Sequence, residues 1–370
     1  MPDDSIDLKA GEAFFAWCRE NRARLSIWDD KNNLVIFALD GPPEVLNTDA
    51  TIHFHCRSMR KLPMEILGLK NKKSLSLSGN KRLNAIDLLK EFTCLEDLNL
   101  NECSSLVRIS PLSGLTNLKI LDLSSCKHLT NLTPLSTLNN LTRLRLNFCG
   151  SLKDLTALSK LNRLSDLSFF NCKSLTDIAP LSTLTNLSKL DLSFCEALKD
   201  IAGLSNLTTL TELDLDRIPL TDVSALSKLT ELTRLNLSGC KLLEDISALS
   251  TLTNLLILNL DNCGSLKDLA ALSNMRKLKH LFLTDCKSLT DISALSALTN
   301  LETLELSGCE ELADITALSC LTNLQELILS DCKMLTDGSP LLKLGDLKTF
   351  HISGCAGLDQ ISLDDHFIKW

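Results

Sequence analysis

Residues 301–324 read LETLELSGCEELADITALSCLTNL, and two apolar periods meet inside them. Leu304 and Leu306 alternate with Glu305, the period-two pattern of a strand with one face turned inward. Leu312, Ile315, Leu318 and Leu321 then recur at every third position. Spacing of three suits tight 3₁₀ turns better than a long α-helix. Asp, Thr, Ser and Asn fill the gaps, which is turn chemistry. One unit is therefore a coil: a short strand, a turn, a short second segment and a return. A single coil cannot bury its Leu face, whereas a stack of coils can.

The same unit recurs along the chain. Cys103, Cys126, Cys149, Cys172 and Cys195 stand 23 residues apart, and Cys240, Cys263, Cys286, Cys309, Cys332 and Cys355 continue at that spacing. Each closes the pattern LxxLxLxxC, with Phe169 replacing a Leu before Cys172 and Phe350 and Ile352 replacing two before Cys355. The other half of each unit reads xxLxDIxxLxxLTN, as in ELADITALSCLTN. These motifs resemble the leucine-rich-repeat family over about residues 49–363, with thirteen copies of fixed Leu positions. The half DISALSxLTNL is similar to the short repeats of internalins, and Cys in place of the more usual Asn is similar to the cysteine-containing variants. The resemblance implies an α/β horseshoe solenoid, with a concave parallel sheet and a convex side of 3₁₀-like segments.

The expected organisation is a cap over residues 1–48, a solenoid of thirteen to fourteen repeats over 49–363, and a second cap over 364–370. Solenoids need caps because an open end exposes core. Asp7 is placed to start a helix with Leu8, Phe14, Phe15, Trp17 and Cys18 on one side. LSIW and LVIFAL flank DDKNN, the pattern of a hairpin. Ile361, Leu363, Phe367, Ile368 and Trp370 are expected to close the last coil. Leu75, Leu77 and Asn80 form an early unit with Asn at the Cys position. One unit departs: LTELDLDRIPLTDVSALSKLT, from Leu210, has Ile218 in place of Cys and is one residue short. Thiol and longer loop are lost together, so they read as one structural device, and a local irregularity is expected there.

Aromatics make up 4% of the 370 residues and Tyr is absent, so the core is aliphatic. A net charge of −8 argues against nucleic acid and anionic membrane surfaces as partners. The start MPDDSIDLKAGEAFF lacks the pattern of a secretory signal, and no run of eighteen apolar residues occurs. Fifteen Cys, an odd number, point to a reducing cytoplasm. Export without a cleaved signal would leave the same sequence.

Several patterns could carry chemistry. The Cys column reads as buried thiols meeting backbone rather than as metal ligands or disulfides, since no CxxC pair occurs and side chains in register do not present a disulfide torsion. Asp154, Asp177, Asp200, Asp222, Asp245, Asp268, Asp291, Asp314 and Asp337 each open a turn and read as caps for backbone N–H groups rather than as calcium ligands. His53 and His55 share one strand face and Cys56 lies on the other, against a ligand cluster. LPMEIL, residues 62–67, resembles the start of an F-box, but the first strong repeat follows within ten residues and leaves no room for its further helices. None of GxxxxGK[ST], GxSxG or HExxH is present. The expectation is a protein that is not an enzyme, with no catalytic residues, metal or cofactor.

Function in such a stack lies where the repeat is unconstrained. The third, fifth and seventh positions of LxxLxLxxC face out of the strand. Repeats two and three carry Asp97, Asn99, Asn101 and Ile120, Asp122, Ser124 there. Arg143, Arg145 and Asn147 follow, then Asp166, Ser168 and Phe170, then Lys189, Asp191 and Ser193. Glu212, Asp214 and Asp216 form an acidic triple on the short repeat, before Arg234, Asn236 and Ser238. Later repeats carry Ile257, Asn259, Asp261; His280, Phe282, Thr284; and Thr303, Glu305, Ser307. Phe148 and Phe194 sit just before Cys. Aromatic residues beside Arg are the usual make-up of an interface hot spot, and the acidic triple would steer a basic patch. The candidate binding residues are therefore Arg143, Arg145, Phe148, Asp166, Phe170, Lys189, Asp191, Phe194, Glu212, Asp214, Asp216 and Arg234. The expected function is a monomeric scaffold that binds a protein partner on the concave face. The alternative is an exported effector or regulatory subunit acting on a host or signalling enzyme, and a less favoured one is a metal-binding protein or enzyme.

Overall fold

The computed structural model describes residues 8–28, 34–36 and 51–355. It divides into two compact units, residues 1–187 and 188–370. In the first unit, α1 (Leu8–Glu20) precedes β1 (Arg24–Trp28), β2 (Leu34–Ile36) and β3 (Thr51–His55). Strand β1 pairs antiparallel with both β2 and β3. Phe14, Phe15 and Cys18 on α1 are buried, and the rings of Phe14 and Trp17 meet Phe54 edge-on at 5.2 and 5.7 Å. The DDKNN turn, Asp7 and the apolar residues from Ile361 onward lie outside the described residues.

From β3 onward the pairing is parallel: β4 (Ser74–Ser76), β5 (Asp97–Asn99), β6 (Ile120–Asp122), β7 (Arg143–Arg145) and β8 (Asp166–Ser168). The second unit holds β9 (Lys189–Asp191), β10 (Glu212–Asp214), β11 (Arg234–Asn236), β12 (Ile257–Asn259), β13 (His280–Phe282), β14 (Thr303–Glu305), β15 (Glu326–Ile328) and β16 (Thr349–His351), also in parallel register. Each strand is a short step in a coil whose other side is a 3₁₀ turn, such as Ser247–Thr251. This is the solenoid expected from the alternating periods. LPMEIL is part of that pattern too, since Met64–Leu69 is a 3₁₀ segment.

The spacing of three follows from the hydrogen bonds. Leu249, Leu252 and Leu255 donate N–H to the carbonyls of Ile246, Leu249 and Leu252, each three residues back, at 2.9, 2.9 and 3.2 Å. Each turn of the 3₁₀ path thus returns an apolar side chain to the core, and all three of these Leu are fully buried. The nine Asp of the turn column each accept the N–H two residues on, at 2.7–3.0 Å. Asn of the LTN motif adds a tie that sequence reading did not foresee. Asn254 Nδ2 donates to Thr230 O, and Asn300 and Asn323 repeat the bond to Arg276 and Thr299.

In the 23-residue Cys column the thiols point inward and donate to backbone carbonyls of the preceding coil. Cys103, Cys172, Cys286 and Cys355 reach Leu77, Leu146, Leu260 and Leu329 at 2.9–3.3 Å. Burial pushes the Cys103, Cys149 and Cys286 thiols up to about 12, so they are neutral donors at physiological pH. Asn80 fills the same place with three bonds: its Nδ2 donates to Phe54 O and Leu77 O, and its Oδ1 accepts from Cys56 N, all at 2.7 Å.

Candidate functional site

On strands such as β7, β10 and β12 the middle residue is buried and its neighbours face outward, so the outward columns are built by alternation. The chain then turns at the residue before Cys, and there the backbone is left-handed. Gly79, Gly239, Gly308 and Gly354 occupy that place with φ between 67 and 78°. Phe148 and Phe194 take it too, at φ 58 and 59°, as do Glu102, Ser125, Asn171, Arg217, Asn262, Asp285 and Asp331. A bulky side chain in this region costs about 1–2 kcal/mol. The recurring Gly was the sequence signal for this conformation.

In the first unit, five candidate residues form two groups on adjacent repeats, an ionic one and an aromatic pair. Arg143 Nε donates to Asp166 Oδ2 at 2.8 Å, and Arg145 Nη2 approaches the same oxygen at 3.4 Å. The Arg side chains stay 47% and 39% exposed, so the pairs hold orientation more than they stabilise the fold. Phe148 and Phe170 meet edge-on, centroids 5.0 Å apart, with Phe148 43% exposed. Phe170 is half-buried rather than open, with its ring against Phe148; its N–H is held by Asn147 Oδ1 at 2.9 Å and its carbonyl accepts from Phe148 N at 2.7 Å. Arg143 also acts on Asp97, whose carboxyl is raised by burial and pulled back by that guanidinium.

In the second unit, Lys189 Nζ pairs with Glu212 Oε1 at 2.6 Å. Asp191 Oδ1 accepts from Ser193 N at 2.9 Å. Asp214 accepts from Asp216 N and from Asn236 Nδ2, at 3.0 and 3.1 Å. Burial raises the Asp214 and Asp216 carboxyls above the ordinary range, and for Asp216 the nearby Asp214 charge adds to it. Arg234 stays exposed and pulls Asp214 back. Arg217, which sequence reading passed over, stacks on Phe194 with its Cζ 5.0 Å from the ring centroid. It also lines a cleft of about 480 Å³ beside Pro219, Gly239 and the exposed Leu242, where the short repeat lacks a residue.

His53 and His55 are half-buried on the outward face of β3, and burial lowers the His53 pKa. Among the described residues no three His, Cys, Asp or Glu side chains are grouped to hold a metal ion. No described helix is long and apolar enough to cross a membrane.

Residues 208–251 and 276–320 match the description Leucine Rich repeats (2 copies), and residues 100–216 match BspA type Leucine rich repeat region (6 copies). Among curated proteins, none matches. Among solved structures, an internalin from Listeria monocytogenes is 25% identical, with TM-score 0.59, over 86% of this chain and 93% of that one. A leucine-rich-repeat protein of Leptospira interrogans is 23% identical, with TM-score 0.55, over 80% of this chain and 88% of that one. The ectodomain of the plant membrane receptor kinase GASSHO1/SCHENGEN3 from Arabidopsis thaliana, solved in complex with CASPARIAN STRIP INTEGRITY FACTOR 2, is 21% identical. Its TM-score is 0.57, over 80% of this chain and 42% of that one.

Proposed function

We propose that this chain, which belongs to the leucine-rich-repeat family, is a scaffold that binds a protein partner on the outward face of its strands and acts by binding rather than catalysis. The observation that carries the reading is the pair Phe148 and Phe170 beside Arg143 and Arg145. Phe148 holds an aromatic ring at the surface from a left-handed turn position that the other repeats give to Gly or mostly to polar and charged residues. An exposed aromatic ring beside Arg is the usual make-up of an interface hot spot. Lys189, Asp191, Phe194, Glu212, Asp214, Asp216 and Arg234 form a second candidate cluster on the other unit, and its acidic triple suits a basic patch.

The test is capture from native lysate with mass-spectrometric identification. Wild type is compared with an Arg143→Glu, Arg145→Glu, Phe170→Ser variant that retains its melting temperature. Loss of one partner by at least about tenfold supports the reading. A partner retained by both chains refutes this face. Phe148→Gly sharpens the result. Relief of strain, about 1–2 kcal/mol, offsets the lost ring contact, about 0.5–1.5 kcal/mol, so stability should change little while capture falls.

A second reading, an exported effector or regulatory subunit, is favoured by the likeness to the Listeria internalin over 93% of that chain. Against it stand fifteen cysteines, an odd number, thirteen of them buried, a usage that suits a reducing cytoplasm. A secretion assay on the native cells separates the two.

A further inference from the structure

Strands β12, β13 and β14 lie side by side in the second unit, and their outward residues line a depression of about 410 Å³. Register sets Phe282 between Asn259 on one side and Glu305 on the other. Asp261, two residues beyond Asn259, faces the same way and lines the same depression. Thr284 ties the two acids together. Its N–H donates to Asp261 Oδ1 at 2.7 Å and its Oγ1 to Glu305 Oε2 at 3.4 Å. Two carboxylates therefore flank one half-buried ring.

Their charge is uncompensated. Among the described residues, neither Asp261 nor Glu305 has a basic side chain within ion-pair distance. Burial raises both carboxyls, Asp261 raises Glu305 further, and Asp285 and Glu326 add to Asp261 and Glu305 respectively. Two basic groups share the rim. His280 Nδ1 is engaged with Thr303 Oγ1 at 3.1 Å, and the Arg234 charge acts on Asp214. Every other ionic contact nearby, such as Lys279 with Glu302, lies in a different column.

We infer that this depression receives an arginine side chain of a protein partner, its guanidinium stacked on Phe282 and hydrogen-bonded to Asp261 and Glu305. A guanidinium is planar, so it covers an aromatic face, and its five donors form a fork that reaches two acceptors at once. An ammonium is a compact, strongly hydrated point charge and would satisfy one acid while leaving the ring uncovered. The inference rests on the strand face being a protein-binding surface, and it names the chemistry of the partner at one place on it.

The probe is a blocked tripeptide, acetyl-Gly-Arg-Gly-amide, titrated into the full chain labelled with fluorophenylalanine. The Phe282 resonance is assigned by loss in Phe282→Leu. The expected result is a saturable shift of that resonance, with the Lys tripeptide at least about threefold weaker and the Glu tripeptide without effect. Asp261→Asn with Glu305→Gln keeps size and hydrogen-bonding groups, and should weaken the Arg peptide at least about tenfold at unchanged melting temperature. Three results would overturn the inference: no saturation, equal response to Arg and Lys, or a double variant that binds like wild type. A chain that captures its partner through Arg143, Arg145 and Phe170 yet ignores the Arg peptide loses this inference alone. Capture insensitive to those three residues, with intact Arg-peptide binding, removes the earlier site instead.

Discussion

The repeat that ends in Ile218 and the repeat that ends in Cys240 are the same coil built two ways. After Cys240, Leu243 N donates three residues back to Cys240 O at 3.0 Å. After Ile218 there is one residue fewer, and Leu220 N donates only two residues back, to Ile218 O at 2.8 Å. The strands do not slip: Glu212 pairs with Arg234, 22 residues on, as squarely as Arg234 pairs with Ile257, 23 residues on. The irregularity is confined to the turn, where it leaves the cleft at Pro219 and Leu242. Strand register is held by backbone bonds on both sides, so a deletion is absorbed where fewest such bonds exist. The thiol belongs to the longer turn. Cys263 donates to Leu237 O at 3.3 Å, a bond that Ile218 has no group to make.

The strongest way to break this comparison is Cys263→Ile. It adds volume at a fully buried site and removes the donor, and should cost about 1–3 kcal/mol in denaturant unfolding. An unchanged midpoint would separate thiol from loop length. Gly239→Ala comes next. Gly239 has φ 69°, and an added Cβ would stand 2.7 Å from Arg217 Cγ, so a loss of about 1–2 kcal/mol is expected. Adding Arg217→Ala should recover only the steric part, as read by thermal melting. Ile218→Cys alone should cost about 0.5–1.5 kcal/mol through lost apolar volume. The same change with one residue inserted after Pro219 should recover most of it.

The smallest effect is on pH dependence, and it too distinguishes two places in a repeat. Asp214 and Asp216 have carboxyls raised by burial, so the folded chain holds these protons more tightly than the unfolded chain. Their contribution to stability is full below the unfolded carboxylate pKa and is lost as pH rises through the raised values. Asp222 and Asp245 in the turns are lowered by the hydrogen bonds they accept, from Ser224 and Ser247. Their contribution is present above the unfolded pKa and is lost as pH falls through the lowered values. Asp214→Asn should therefore flatten the fall in stability above the unfolded pKa, whereas Asp245→Asn should flatten the loss at lower pH. Denaturant midpoints across the acid range check both, and identical profiles would refute the assignment.

Much of the coil is legible residue by residue. Leu304 and Leu306, the spacing of Leu249, Leu252 and Leu255, and the Asp that opens each turn are local patterns, completed within a few residues. The candidate surface is legible only as columns. Arg143 and Arg145 stood beside Asp166 in that reading, but the shared oxygen did not follow from it. Arg217 stands at the same turn position as Phe194 but one repeat later, before Ile218 rather than Cys, and only stacking sets its guanidinium on that ring. Asp261 and Glu305 were visible as members of the columns, with nothing to mark them out from Asp191 or Asp214.

Periodicity of 23 residues, with Leu at fixed places, suffices to dictate a stacked coil with buried Leu and Cys and capped turns, because each contact in that plan repeats from one coil to the next. Which outward charges are paired and which are left open was decided only by stacking. The partners that settle it, Arg143 with Asp166 or Thr284 with Asp261 and Glu305, lie 21–23 residues apart and become neighbours once one strand is laid beside the next.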